Sequence, residues 1–496
     1  MLLLALTFAI RAFHPSQAIV ENYVGRQVPT AMVARNLERG SGFLRPELDT
    51  GPFPNLFLVE PPIYAWIVAT THRLVGFDWE TAGRLISALA TTWGSWGLFG
   101  LVARREGRTV ALLALGSFAA FPVTVRYGRA FQPDALMLGF VLAGLRFWDE
   151  FEATGRGRWA VYGGFVLAIG LAIKITSAWT LIPFVLIVRR WPIAWRLGVG
   201  GLMLAPALAW YVHAWGEVAR PLAGSMASSD NAAIWFRSLS LWSWLRPATW
   251  SNIGRNLAIR SFTPIGFVLA GVGLWGRPRV DRLWIGWGIG CGLAILGLAS
   301  KWHHAYYWMV LAPLAAVGVA RGMIGVGRSE TRIVLGSFFL GCCAIHSVTT
   351  WLTPGEWAGL DVATREIREL VPPDAPLIAP EAVLYLADRR GFRLEFDPPA
   401  VRRAAGELGE SLPKDAGPLA LVELYRVQGG PILPVGARGP SFRDLKFGEI
   451  HSPIFAADLG MVERGSPRSV WRAAIRSRPD TTILVDRPGL MLAELH

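Results

Sequence analysis

The stretch His14-Pro-Ser-Gln-Ala-Ile-Val-Glu-Asn-Tyr23 opens a charged segment that closes at Val59-Glu-Pro-Pro-Ile-Tyr64, and this segment decides the interpretation of the chain. It lies between two apolar runs, yet it contains Glu21, Arg26, Arg35, Glu38, Arg39, Arg45, Glu47, Asp49 and Glu60. The other loops in the first part of the chain are short, and a long charged loop among short ones commonly holds functional residues. The alternative is a solvated connector.

Composition indicates a membrane protein. Of the 496 residues 52% are hydrophobic and 17% are charged, and the mean hydropathy is +0.37. The formal net charge is +13, but much of the positive charge falls in short turns between apolar runs. Membrane topology explains that distribution more simply than nucleic-acid binding does. The three cysteines lie inside apolar runs, which predicts packed thiols and no disulfide framework.

The charged turns predict which side of the membrane each loop faces. The segment from Pro61 to Gly76 has a length that allows a crossing or an interfacial helix. An interfacial helix places every later basic turn in the cytoplasm, as the positive-inside rule requires. These turns contain Arg104, Arg105 and Arg108; Arg156 and Arg158; Arg189, Arg190 and Arg196; Arg277, Arg279 and Arg282; and Arg321, Arg328 and Arg332. We therefore expect the interfacial arrangement.

The fold class that follows is an all-α polytopic membrane domain, residues 1–352, with about eleven transmembrane helices. Its first outer loop, residues 14–83, is expected to contain interfacial helices, one of them from Arg26 to Arg39. The first span, Met1 to Phe13, is short, so we expect Met1 to lie inside a longer helix. The other spans are Arg84 to Ala103, Thr109 to Val125, Pro133 to Trp148, Trp159 to Ile173, Ser177 to Val188, Leu197 to Val212, Pro264 to Gly276, Leu283 to Ser300, Tyr306 to Ala320 and Ile333 to Trp351.

Residues 353–496 lose the long apolar runs and gain Pro, Asp, Glu and Arg. This change predicts a soluble α/β or α+β domain outside the membrane. Pro376 to Ala379 and Leu419 to Leu424 are typical of short buried strands, and Asp361 to Leu370 is typical of a helix.

The predicted topology collects polar residues at the outer ends of the helices. They are Arg126, Arg129, Asp134, Lys174, Lys301, His303, His304, Tyr306 and Tyr307, on the same side as the carboxylates of the first loop. Ionisable groups near an apolar slab usually face a cavity or one another. An ion or proton pathway would spread such groups through the membrane depth. The distribution favours surface chemistry on a lipid-borne substrate.

Each of these residues also has a structural alternative. Lys174 could extend to the headgroups, and His303 and His304 could anchor an aromatic belt. Asp134 could cap the following helix, and the two arginines could contact headgroups. Their coincidence on one side carries more weight than any single residue.

A series of motifs resembles the bacterial membrane glycosyltransferases of the GT-C superfamily, in the branch related to protein O-mannosyltransferases and lipid A aminoarabinose transferases. The motifs are, in order, Gly25-Arg-Gln-Val-Pro-Thr-Ala-Met-Val-Ala-Arg-Asn-Leu37, Glu60-Pro-Pro-Ile-Tyr64, Gly83-Arg-Leu85, Arg129-Ala-Phe-Gln-Pro-Asp-Ala-Leu-Met137, Lys174 before an apolar run ending in Pro183, His304-Ala-Tyr-Tyr307 followed by Pro313, and Leu384-Tyr-Leu-Ala-Asp-Arg-Arg-Gly391. The resemblance covers nearly the whole chain.

The resemblance implies an inverting transfer of a sugar from a polyprenyl-phosphate donor to an acceptor hydroxyl of a glycan, lipid or protein. The site is expected to face outside a bacterial inner membrane. Such a reaction needs a carboxylate that accepts the acceptor's proton and cations that stabilise the leaving phosphate. For the phosphate we expect Lys174, His303, His304, Tyr307 and Arg129, and for substrate binding Asp134 and Arg26.

One position departs from the family's pattern, because Val28-Pro29 stands where related chains usually have an acidic residue. Glu21 is therefore the first candidate for the base, with Asp49 and Glu60 in reserve. No cofactor is expected to be required, although Mg²⁺ or Mn²⁺ would suit carboxylates beside a phosphate. Two other classes remain open: a membrane scaffold that has lost catalysis, and a secondary transporter, for which midplane helix breaks and repeated halves are missing.

Overall fold

The computed structural model describes residues 1–20, 24–50, 55–218, 244–276, 280–297, 304–354, 357, 359–375, 377–393, 454–459, 472–473, 475–476 and 481–495. The chain divides into two compact units. The first, called the helical unit, comprises Met1–Gln17, Glu60–Trp215 and Ile234–Leu352. The second comprises Ala18–Val59, Gly216–Ala233 and Thr353–His496, and it is called the outer unit after the side that the sequence predicts for it. The boundary that the sequence predicts after residue 352 coincides with one unit boundary, but Ala18–Val59 of the first loop groups with the C-terminal residues.

The first half of the chain supplies ten α-helices. They are α1 (Leu2–Ala12), α2 (Val24–Glu38), α3 (Ile63–Val75), α4 (Trp79–Glu106), α5 (Arg108–Ala120), α6 (Pro122–Tyr127), α7 (Asp134–Thr154), α8 (Gly157–Ile173), α9 (Leu181–Ile187) and α10 (Ile193–Val218). The helices α4 and α7 approach closely because glycines face the partner. A Cβ on Gly139 would lie 2.5 Å from the Ala90 carbonyl, so a larger residue would force the two backbones apart.

The helical unit continues after residue 244 with a bent segment and three further long helices. Pro247–Arg255 leads through a π-helix, Asn256–Ser261, into Pro264–Trp275, with a bend of 103°. Arg282–Gly297, Ala312–Gly325 and Ser329–Val348 follow, and short 3₁₀ segments lie at Ala305–Leu311 and Thr349–Trp351. Helical segments thus occupy all eleven predicted spans.

Fewer helices meet the length and apolarity needed to cross a membrane than occupy the predicted spans. Among the described residues, four helices are long and apolar enough to cross a membrane: Trp79–Glu106, Ile193–Glu217, Ala305–Gly325 and Ser329–Trp351. A fifth arises if the bent pair that ends at Trp275 counts as one span. Five shorter apolar helices accompany them. A mostly helical unit with several apolar helices is confirmed, whereas the count of about eleven crossings stays a prediction.

Basic turns that the sequence places in the cytoplasm meet at one end of the helical unit. Arg105 donates to Asp149 at 2.5 Å and to Asp281 at 2.9 Å, and Arg321 donates to Glu106 at 2.6 Å. Asp149 lies 15 residues after the first residue of α7, so about 22 Å of helix separate this ion-pair network from the start of α7. Asp134 begins α7 at that other end, and Lys174 is bonded to it there, whereas Lys301 and His303 lie outside the described residues.

The outer unit contains a five-stranded mixed sheet. Its strands are β1 (Leu377–Ala379), β2 (Gly391–Arg393), β3 (Ile454–Leu459), β4 (Thr481–Arg487) and β5 (Leu490–Leu495), in the order β2-β1-β3-β5-β4. The strand β1 is parallel to both neighbours, and β5 is antiparallel to β3 and β4. Helices Leu360–Leu370 and Glu381–Leu386 accompany the sheet. The predicted helix and the first predicted strand are confirmed, while Leu419 to Leu424 lies outside the described residues.

The first loop forms a helix, as predicted, but this helix does not lie on a membrane surface. Every residue of α2 from Gln27 to Asn36 is buried in protein. A surface helix would leave one face uncovered. The prediction of an interfacial helix from Arg26 to Arg39 was therefore wrong. The helix α2 is a core element of the outer unit, and its Arg35 makes a buried ion pair with Asp49.

Candidate active site

Lys174 and Asp134 form a buried ion pair at the start of α7, at the end of this helix away from the Arg105–Asp149 pair. The helix α8 ends at Ile173, and Lys174 adopts an extended conformation before a 3₁₀ segment, Ile175–Thr180. The Lys174 Nζ donates to Asp134 Oδ1 at 2.7 Å, and the two side chains are 6% and 5% exposed. Asp134 is the first residue of α7, and its carboxylate bonds to Lys174 instead of capping the helix. The Lys174 side chain is therefore buried against Asp134 and does not extend to lipid headgroups.

Aromatic rings surround the same ammonium group. Its nitrogen lies 5.0 Å from the ring centroid of Tyr306 and 5.3 Å from that of Tyr307. The His304 ring stacks on Tyr306 with a centroid distance of 5.7 Å and an interplanar angle of 8°. Tyr306 is buried, whereas His304 and Tyr307 are half-buried. The structure thus brings together four of the predicted residues, Asp134, Lys174, His304 and Tyr307, although they come from three separate parts of the sequence.

Two helical segments begin at this cluster. Lys174 precedes the helical run Ile175–Ile187, and His304 precedes Ala305–Gly325. Both preceding residues have extended backbones, and each occupies the N-cap position of its segment. The first backbone N–H groups of a helix have no partner within the helix, and the helix dipole is positive at that end. Two helix N-termini and a lysine therefore create an environment that favours an anion.

Two buried polar groups near the ion pair have unused hydrogen-bonding capacity. Among the described residues, Asp134 Oδ2 has no hydrogen-bond partner, and neither does either amide atom of Gln132. Gln132 is fully buried. Because buried polar groups are nearly always bonded, these atoms are suited to water or to hydroxyl groups of a substrate. Sequence analysis missed Gln132, although it lies inside the quoted motif from Arg129 to Asp134.

Arg129 binds protein carbonyls at the end of α1. It is fully buried, which rules out contact with lipid headgroups. Its guanidinium donates to the carbonyls of Phe13 and His14 at 3.0 and 2.7 Å and to Gln17 Oε1 at 3.0 Å. His14 has a positive φ of 51°, an uncommon conformation for this residue type. The geometry favours a positioning role for Arg129 at the start of the first loop.

Asp49 lies in an ion-pair cluster inside the outer unit. Its side chain is fully buried; Arg35 Nη2 donates to Oδ2 at 2.5 Å and Asn36 Nδ2 donates to Oδ1 at 3.0 Å. Arg35 also contacts Asp388 at 2.9 Å. Burial lowers the pKa of Arg35, but the charges of Asp49 and Asp388 outweigh it, so the pKa is raised. Both Asp49 oxygens are engaged, which does not suit a base that must accept a proton.

The other candidates are distributed as follows. Glu60 is buried in the helical unit, immediately before Pro61 and Pro62, which precede α3. Arg26, in the first turn of α2, lies over the ring of Phe57 at 5.3 Å and is half-buried. Glu21 and His303 lie outside the described residues, so their placement stays a prediction.

No metal centre is apparent in the described part of the chain. Among those residues, no group of three or more His, Cys, Asp or Glu side chains is placed to hold a metal ion. The predicted absence of a required cofactor therefore stays a prediction, as does the alternative of Mg²⁺ or Mn²⁺.

Sequence comparison identifies one family within the chain. Residues 59–215 match the family described as dolichyl-phosphate-mannose-protein mannosyltransferase. This segment contains Asp134, Lys174 and Gln132. Among proteins of curated function, no sequence matches the chain.

Solved structures extend the similarity beyond that segment. The crystal structure of ArnT from Cupriavidus metallidurans bound to undecaprenyl phosphate aligns with a TM-score of 0.58 and 14% identity, covering 99% of this chain and 97% of ArnT. The oligosaccharyltransferase AglB of Archaeoglobus fulgidus, in complex with an inhibitory peptide and a dolichol-phosphate, aligns with a TM-score of 0.52 and 10% identity, covering 79% and 63%. The mycobacterial arabinofuranosyltransferase AftD aligns with a TM-score of 0.51 and 13% identity, covering 100% and 39%. The family match over residues 59–215 and these alignments identify the fold as that of the GT-C membrane glycosyltransferases.

Proposed function

We propose that this protein transfers a sugar from a polyprenyl-phosphate donor to an acceptor hydroxyl at the outer face of a membrane, with inversion at the anomeric carbon. The observation that carries the proposal is the lysine at the break after α8. It is held 2.7 Å from Asp134 and enclosed by two tyrosines, at the start of a helical segment. The structural similarity to ArnT, which was crystallised with undecaprenyl phosphate, supports this class of donor.

The reaction forms a bond between the acceptor oxygen and the anomeric carbon while the bond from that carbon to the phosphate oxygen breaks. The lipid phosphate leaves with the electron pair, and a carboxylate takes the proton of the acceptor. We assign the leaving phosphate to Lys174, His304 and Tyr307. An ammonium group has three donors, so Lys174 can bond to Asp134 and to a phosphate oxygen together. The two helix N-termini add positive potential.

Asp134 Oδ2 and the amide of Gln132 are the groups that we assign to sugar hydroxyls. Without a ligand these atoms are buried without partners among the described residues, and a bound hydroxyl would remove that cost. Replacing Gln132 by Met keeps the size of the side chain but removes both polar atoms. We expect the donor KM to rise while the thermal stability holds or improves, which a purely structural glutamine would not show.

We place Arg129 and Asp49 outside the chemistry, because internal partners engage them. Glu21 remains our first candidate for the base and Glu60 the second. Arg26 remains a candidate for substrate binding.

The test is transfer of radiolabelled sugar from defined polyprenyl-phosphate donors to a membrane extract. Purified protein is compared with its Glu21→Gln, Glu60→Gln and Lys174→Met variants, and the anomeric configuration of the product is read by NMR. Loss of transfer in one glutamine variant, with normal thermal unfolding, identifies the base. Absence of transfer from every donor by well-folded protein would favour the scaffold. Solute uptake into sealed vesicles would instead favour a transporter.

A further inference from the structure

The Tyr385–Gly391 turn of the C-terminal part of the chain contacts the first loop at several points within the outer unit. Arg35, near the end of α2, donates to the Tyr385 carbonyl at 2.7 Å and forms an ion pair with Asp388 at 2.9 Å. Its guanidinium lies 4.8 Å from the centroid of the Tyr385 ring. Arg39, one helical turn later, donates to the same oxygen of Asp388. The last two turns of α2 are thus fixed to one short segment of the C-terminal sequence.

Backbone pairing joins the same two regions. The amide of Gly391 donates to the Asp49 carbonyl at 2.9 Å, and Thr50 forms an isolated parallel bridge with Gly391. Gly391 begins β2, which lies at the edge of the sheet. Residues of the first loop therefore cover the start of an edge strand that would otherwise expose its hydrogen-bonding groups. Arg390 adds an ion pair with Glu47 at 3.0 Å.

Asp49, in the first loop, bonds both to α2 and to the C-terminal segment. It accepts from Arg35 and Asn36 on α2 through its side chain, and its own carbonyl accepts from Gly391. Asp388 has a φ of 56°, a left-handed conformation that aspartate adopts more readily than most residues other than glycine. The surrounding contacts therefore determine where Asp388 lies. Asp49, by contrast, is buried and bonds both to α2 and to Gly391. A buried carboxylate with several partners holds them in place more firmly than an exposed ion pair does.

We propose that the Tyr385–Gly391 turn positions the first loop for sugar transfer, with Asp388, Arg35 and Asp49 as positioning residues. This inference rests on the proposed function, in which the first loop supplies the candidate base Glu21. The helix α2 runs from Val24 to Glu38 with Pro29 inside it, so contacts at Arg35 restrain its other end through the helix backbone. Arg26 lies nine residues, or about 13 Å, away along the axis. The C-terminal domain would then order the catalytic loop, whether or not it also selects an acceptor.

The test uses the full-length protein and the variant Asp388→Gly, which tolerates the positive φ but removes the carboxylate. Asp388→Asn keeps one oxygen that can accept from the two arginines, and it should recover part of the loss. The matched control is Asp486→Asn, which breaks an exposed pair with Arg476 inside the same domain. Hydrogen exchange of residues 24–50 and of residues 481–495 is measured together with kcat and the donor KM.

We expect Asp388→Gly to speed exchange in residues 24–50 but not in residues 481–495. The kcat should fall about 10- to 100-fold with little change in KM, because small displacements of catalytic groups have effects of this size. Faster exchange with unchanged kcat would overturn the catalytic part of the inference, and unchanged exchange would overturn positioning itself. If the wild-type protein transfers no sugar, the proposed function fails, and the exchange comparison still decides whether the turn orders the loop.

Discussion

Replacing Lys174 by Met tests whether its buried ion pair with Asp134 only stabilises the fold or also stabilises the leaving phosphate. The substitution removes the ammonium group that lies 2.7 Å from Asp134 Oδ1, and it leaves a carboxylate that is only 5% exposed. Its other oxygen already has no hydrogen-bond partner among the described residues. Removing one member of a buried pair typically costs about 3–5 kcal/mol, because the remaining charge is uncompensated. An exposed pair would cost about 1 kcal/mol or less.

The double variant Asp134→Asn/Lys174→Met removes both charges. Neutral replacement of a whole buried pair is often nearly neutral for stability. We therefore expect thermal unfolding in detergent to show a large loss for Lys174→Met and a substantial recovery for the double variant. Transfer of radiolabelled sugar should stay low in both, because the phosphate has lost its cation. Removing one group that stabilises developing charge typically lowers kcat about 10²- to 10³-fold.

The matched control is Arg321→Met. It breaks an equally buried pair, Arg321 with Glu106 at 2.6 Å, whose side chains are 8% and 9% exposed, at the opposite end of the helical unit. This control should lose stability but keep its turnover per folded molecule. If the double variant at residues 134 and 174 recovers both stability and transfer, the lysine serves only to neutralise Asp134. The assignment of the leaving phosphate to Lys174 would then be refuted.

Three further predictions follow from other contacts. Burial raises the pKa of Asp388, but Arg35 and Arg39 lower it more, so the net shift is downward. The ionised Asp388 therefore stabilises the folded protein fully above the pKa of an unfolded aspartate, about 4, and this stabilisation is lost as the pH falls below that value. The difference in melting temperature between wild type and Asp388→Asn should therefore shrink towards pH 3, and a constant difference would contradict this. Gly83→Ala should lower the melting temperature, because a Cβ there would lie 2.2 Å from the Phe131 ring, and unchanged unfolding would contradict the packing. Transfer should persist in EDTA, because a lysine neutralises the phosphate; loss that Mg²⁺ or Mn²⁺ restores would show a metal requirement.

Much of the helical unit could be predicted because its apolar runs are long and separated by basic turns. The boundaries of α7 and α8 fall close to the predicted spans from Pro133 and from Trp159. Hydrophobic length is a local property, so a single sequence reveals it. The 3₁₀ segments after Lys174 and His304 overlap the first residues of the spans predicted from Ser177 and from Tyr306, and apolarity alone does not distinguish a 3₁₀ turn from an α-helix.

The pairings at the site could not be predicted with the same certainty. Lys174 and Asp134 are 40 residues apart, and Arg35 is 350 residues from the carbonyl that it contacts. Topology placed the first two on one side of the membrane, but no pattern within either segment shows that they touch. The grouping of the first loop with the C-terminal residues was missed for the same reason. The helix from Arg26 to Arg39 was predicted to lie at the membrane interface, whereas its Arg35 is paired with Asp49 inside the protein.

The hydrogen-bond partners of each carboxylate decide which of them can act as the catalytic base. Asp49 is held at both oxygens and at its carbonyl, so proton transfer to it would break contacts that join the loop to the sheet. Asp134 accepts a hydrogen bond from Lys174 through one oxygen, and we assign its other oxygen to a sugar hydroxyl, so neither oxygen is left for the acceptor's proton. A departing phosphate and a protonated base need opposite environments, because cations that stabilise the first lower the basicity of the second. The base should therefore lie away from the Lys174 ammonium, a requirement that Asp134 fails and that leaves Glu21 and Glu60 to be tested.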